Sequence, residues 1–148
     1  MTEVITTLLI TVSSILLFGY WFRYTCLLIL SAKTVRDYTL DVAAANQLGF
    51  VEVQNRLQSE GTDLDGLRIA LDRDYAIVQK MLKQTMNLRP QSGSLERWML
   101  QTHYRLAAVW YRCSSSFAPV ASRRALEEMS LVIAHFANTM GEQMAAAA

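Results

Sequence analysis

From Val4 to Phe22 the chain runs nineteen residues without a charged side chain. Arg23 interrupts, and Tyr24 to Ala32 is uncharged again. A helix of about 20 apolar residues crosses the hydrocarbon core of a bilayer. Leu8, Leu9, Ile10, Val12, Ile15, Leu16, Leu17 and Phe18 cover every side of such a helix, the pattern of a lipid-facing span rather than of a helix with one buried face. A cleaved secretory leader fits poorly. It would need a basic start, a shorter apolar stretch and small residues at the cut, whereas Met1-Thr2-Glu3 is acidic and Tyr20, Trp21, Phe22, Arg23 and Tyr24 are bulky. Those aromatic residues around Arg23 match a membrane–water boundary, where amphipathic rings sit at headgroup level and a guanidinium snorkels. The anchor residues read this way are Val4, Leu8, Ile15, Phe18, Tyr20, Trp21, Phe22 and Arg23, within a segment 1–32 of anchor and interface.

Charge asymmetry sets the expected orientation. The leading side carries no Lys or Arg, and the following flank carries Arg23, Lys33 and Arg36. The positive-inside rule then puts the N-terminus outside and the rest in the cytoplasm. Two cysteines without framework spacing, Cys26 and Cys113, suit a reducing compartment.

The remainder reads as one helical domain, 33–144, with a short tail 145–148. Only six Gly and two Pro occur in the whole chain, and no alternating strand run appears. A first helix is expected to continue from the anchor, with Val35, Tyr38, Val42, Ala45 and Gly49 on one stripe and Phe50, Val53 and Leu57 resuming it. Residues 59–63 read as a loop whose Thr62 or Asp63 caps the next helix. Helix two spans about 64–85, with Leu64, Leu67, Leu71, Tyr75, Val78 and Leu82 inward and Asp72, Arg73 and Asp74 mostly solvated. Residues 87–94 are the clearest break. Helix three follows, its inward stripe expected to be Leu95, Trp98, Met99, Thr102, Leu106, Val109, Trp110, Cys113 and Phe117. Helix four carries a heptad of Leu126, Met129, Ile133, Phe136 and Met140, with Arg123, Arg124, Glu127, Glu128 and Asn138 opposite. The fold class is therefore all-α: a single N-terminal transmembrane helix followed by an antiparallel bundle of about four helices, the first continuous with the anchor.

Chemistry is sparse. A di-metal bundle needs inward Glu and Glu-x-x-His pairs, and neither His103 nor His135 has an acid three residues earlier. His135 reads as a hydrogen-bonded residue at a packing edge. Cys113 reads as a small buried hydrophobe, and the Ser114–Ser116 run has no nucleophile elbow. No catalytic residue, metal ligand or cofactor is expected. A net charge of +1 gives no bias toward nucleic acid.

Helix three has a repeat: Tyr104-Arg105 and Tyr111-Arg112, seven apart, with Arg97 before them. Trp98 and Trp110 lie twelve apart, about 120° around a helix, so one is expected in the core and the other outward. Arg97, Trp98, Tyr104, Arg105, Trp110, Tyr111 and Arg112 form the candidate partner surface, against the plainer reading that the arginines pair with acids within the bundle. In the anchor, Thr7, Thr11 and Ser14 could let a second membrane helix approach, or simply bond their own backbone. Two functions compete. One is a non-enzymatic accessory, assembly or scaffolding subunit, partnered in the bilayer by other membrane proteins or by itself. The other is a membrane-tethered, ligand- or cofactor-binding sensor. A cavity of several hundred Å3 would favour the sensor, and a packed core with an exposed aromatic patch would favour the scaffold.

Overall fold

The computed structural model describes residues 1–32, 36–59, 61, 63–86 and 93–147. Lys33, Val35, Glu60 and Thr62, and residues 87–92 of the expected break, lie outside the described residues. The chain is all-helical, with no strand among those residues. Six helices follow in order: α1 (Thr2–Ser31), α2 (Thr39–Ala45), α3 (Phe50–Leu57), α4 (Leu64–Met86), α5 (Ser94–Ser114) and α6 (Pro119–Ala147). They divide into two compact units, Met1–Lys33 and Thr34–Ala148.

The first unit is α1 alone. Its 30 residues rise about 45 Å at 1.5 Å each, and it is long and apolar enough to cross a membrane. The helix does not run on into the second unit as its sequence period suggested. It stops at Ser31, where Ala32 turns extended (φ −63°, ψ 122°).

In the second unit α6 is the hub, with α2, α3, α4 and α5 each packed on it. Its sequence explains why. Leu126, Met129, Ile133, Phe136 and Met140 are all buried, as their heptad predicts. Ala125, Ala137, Ser122, Ser130 and Gly141 are buried too, and such small side chains let neighbouring backbones come close on further sides. Glu128 and Asn138, expected on the solvated side, are also buried, because α6 is covered almost all round.

The expected first helix is instead two short ones. Gln47 takes a left-handed φ of 53°, Leu48 N–H donates to Ala43 O (2.9 Å), and α2 ends in the 6→1 bond of a Schellman turn. Side chains from the longer helices then hold these pieces by their backbone. Asn138 Oδ1 accepts from Tyr38 N–H at 2.7 Å, ahead of α2. Asp74 Oδ2 accepts from Gly49 N–H at 2.7 Å, at the start of α3. Arg123 donates to Leu57 O (2.8 Å) and Ser59 O (3.0 Å), at its end. Asp74 is thus a buried helix cap rather than a solvated residue of α4. Burial raises its carboxyl above the ordinary range, opposed by the Gly49 and Phe50 N–H bonds. Before α4, Asp63 Oδ1 accepts from Asp65 N–H (3.1 Å), the cap its sequence position suggests.

Candidate functional site

α5 turns a different face inward from the one its Leu, Val and Trp pattern suggested. Leu100, His103, Tyr104, Ala107, Tyr111 and Ser114 are buried. Leu95, Trp98, Leu106, Val109 and Trp110 are each more than half exposed, and Cys113 and Phe117 are exposed as well. At 100° per residue the two stripes are centred about 130° apart.

Polar side chains with partners on α4 and α6 accompany the choice. Tyr104 stacks on Tyr75 of α4 with ring centroids 3.8 Å apart and planes within 4°, and its hydroxyl donates to Asp72 Oδ1 at 3.0 Å. The Tyr111 hydroxyl donates to Asp65 Oδ1 at 2.7 Å. Burial, then the bond to Asp65, pushes the Tyr111 hydroxyl up to about 12; burial, then the charge of Asp72, raises Tyr104 further. Each tyrosine therefore buries a large ring and loses no hydrogen bond. His103 Nε2 lies 3.2 Å from Glu128 Oε2, Glu96 meets His135 at 2.9 Å, and Ser114 shares a 3.0 Å hydroxyl contact with Ser122. Down these pairs, later α5 residues meet earlier α6 residues. Ala107 between them keeps the contact close.

The candidate surface separates accordingly. Tyr104 (3% exposed) and Tyr111 (2% exposed) belong to the core and leave the surface. Trp98 (58%) and Trp110 (57%) are both outward, where one had been expected inside. Arg105 and Arg112 are exposed and, among the described residues, form no ion pair. Arg97 is half-buried beside Glu96 and His135, in the wall of a small cavity. Cys113, expected to be buried, stands on the exposed stripe. The residues missed as surface are Leu95, Leu106, Val109, Cys113 and Phe117, and the available signal was the polar-tipped set Tyr104, Tyr111, His103 and Ser114 on the other face.

That cavity, lined by Leu82, Leu100 and Phe136 together with Glu96, Arg97 and His135, has a volume of about 70 Å3. It is far smaller than the roughly 300–1,000 Å3 of ordinary ligand sites.

On α1 four threonines are internally satisfied. Thr6, Thr7, Thr11 and Thr25 each donate to the carbonyl four residues back, at 2.8–2.9 Å. A partner helix is not needed to explain them. Val4, Leu8, Ile15 and Phe18 are exposed along the helix. Towards its end Tyr20 stacks on Tyr24 (6.4 Å) and Trp21 meets Tyr24 edge-on (6.1 Å), beside exposed Arg23 and half-buried Phe22.

Comparison with protein-family models, with curated proteins and with solved structures finds no match to this chain.

Proposed function

We propose that this is a non-enzymatic, single-pass membrane protein whose second unit, an antiparallel helical bundle, serves as an accessory, assembly or scaffolding subunit of a membrane complex or as a homo-oligomeric platform. One observation carries the reading: the outward stripe of α5. Monomeric proteins seldom leave a contiguous row of large apolar side chains in water, and Trp and Arg are the residue types enriched where proteins meet. Leu95, Trp98, Leu106, Val109 and Trp110 run the length of α5 with Arg105 and Arg112 along one edge.

A helix fit to cross a membrane supports the location. The topology proposed from the flanking cations is N-terminus outside and bundle in the cytoplasm. The partners are the bilayer and other membrane subunits or a second copy. A ligand-sensing bundle would need more interior room than the cavity walled by Leu100, Phe136 and His135 supplies.

The test is extraction of the full chain from native membranes in mild detergent, followed by mass measurement of the intact particle. A stoichiometric heterologous subunit or a defined homo-oligomer supports the proposal. A monomer with no companion overturns it.

A further inference from the structure

The outward stripe of α5 has a heptad period. Leu95, Met99, Thr102, Leu106, Val109 and Cys113 recur at alternating steps of four and three, the spacing of a coiled-coil seam. None of the six is buried. With Met99, Leu106 and Cys113 as a positions, Leu95, Thr102 and Val109 are d positions. The g flank is then Trp98, Arg105 and Arg112. On the e flank Glu96 meets His135 and His103 is buried beside Glu128, which leaves Trp110 outward. Phe117 follows on that side in the turn after α5. Thr102 does not spoil the seam, because its hydroxyl already donates to Trp98 O at 2.8 Å.

In a parallel pair, each g residue lies beside the e residue five positions later on the partner helix. Applied to α5 against itself, Arg105 meets Trp110 of the other copy, twice by symmetry. A guanidinium over an indole face is an attractive pair. No two outward cations are forced together, and no outward acid on α5 is left facing an apolar ring. The face is therefore complementary to itself. A lipid surface would ask for cations on both edges of the apolar stripe. Here the e edge has none.

We infer that the outward seam of α5 docks a second copy of this chain, in parallel and in register, with Arg105 of each copy on Trp110 of the other. The inference rests on reading the chain as a membrane-bound interaction protein, and it names the partner. Residues at matching a positions face each other across a parallel pair, so Cys113 meets Cys113 of the second copy. A disulfide bridges Cα atoms about 4.4–6.8 Å apart.

The experiment uses the full chain in membranes, treated with copper(II) phenanthroline. Two thiols then lose two protons and pass two electrons to copper(II), forming one S–S bond. Expected is a disulfide-linked dimer that persists in Cys26→Ser and disappears in Cys113→Ser. Trp110→Lys, which sets two cations against each other, should reduce cross-linking at least several-fold. Arg105→Glu combined with Trp110→Lys should restore it, and circular dichroism should show unchanged helix content in both variants. Unaltered cross-linking in Trp110→Lys overturns the inference. So does absence of the dimer. If a heterologous subunit then shields Cys113, that subunit covers the face and the subunit reading stands; if brominated lipid quenches Trp98 and Trp110 in a Trp21→Phe background, lipid covers it and both readings fall. A lone copy with neither signal removes both.

Discussion

Asp74 is the residue on which the α2–α3 segment turns. It is fully buried, sits on α4 and accepts the N–H of Gly49, the residue that caps the start of α3. Asp74→Ala leaves the Gly49 donor without its acceptor and should destabilise the fold by about 1–3 kcal/mol in urea denaturation. Asp74→Asn keeps an acceptor oxygen and carries no charge. The pH dependence separates the two effects. The folded carboxyl titrates above its unfolded value of 3.8, so the folded state holds the proton more tightly. The stability it contributes is full below about pH 3.8 and is lost as pH rises through the raised folded value. Stability of Asp74→Asn relative to the native protein should therefore improve from pH 4 to pH 7; a flat difference would mean that burial does not govern this group. Gln47 offers the opposite case. Its left-handed φ of 53° suits glycine better than glutamine. Gln47→Gly should raise stability by up to about 1 kcal/mol, read as a higher melting temperature, because relief of that strain exceeds the entropy of the added glycine; a lower melting temperature would mean the turn is not strained.

Among the elements, α6 concentrates the packing energy and α5 divides it. Ile133→Ala on α6 should cost about 2–5 kcal/mol, whereas Val109→Ala on the outward side of α5, measured on the dispersed single copy, should stay within about 0.5 kcal/mol. Equal costs would mean that the α5 seam is already filled. Gly141 adds a second kind of constraint, because a Cβ there would overlap the Tyr38 side chain, whose Cγ would lie 2.9 Å away. The helices α4 and α6 were legible because Leu67, Leu71, Val78 and Leu82, and then Leu126 to Met140, repeat large aliphatic or aromatic side chains at helical spacing. α5 was legible as a helix and misread in rotation. Its buried face mixes Tyr, His, Ala and Ser; their spacing marks one face of the helix, but the acids from α4 and α6 that make that face the inner one are distant in sequence. The split of α2 from α3 was hidden for a similar reason. Asp74, 25 residues further on, stabilises the break at Gly49.

For the whole molecule, a helix fit to cross a membrane precedes a folded unit with its own core. That division was visible from charge alone, since Val4–Phe22 has none. The surface by which the unit meets a partner was only half visible. The spacing of Tyr-Arg pairs and of Trp98 and Trp110 points to Arg105, Arg112 and one Trp, while the aliphatic pattern beside them reads as inward. Exchanging Arg23, Lys33 and Arg36 for Glu should lower the fraction of molecules with the N-terminus outside, measured by protease protection; unchanged topology would remove the electrostatic basis of the proposed orientation.

The side-chain clips from Asn138, Asp74 and Arg123 bear on how the second unit opens. Tyr38 and Gly49 are not within helices, yet their amides are held by carboxamide and carboxylate oxygens from α6 and α4. Their hydrogen exchange with solvent deuterium should be far slower than that of exposed connecting residues, because the Tyr38 amide is not released until α2 leaves α6 and the Gly49 amide is not released until α3 leaves α4. Two non-helical amides would then report the detachment of α2 and α3 from the longer helices.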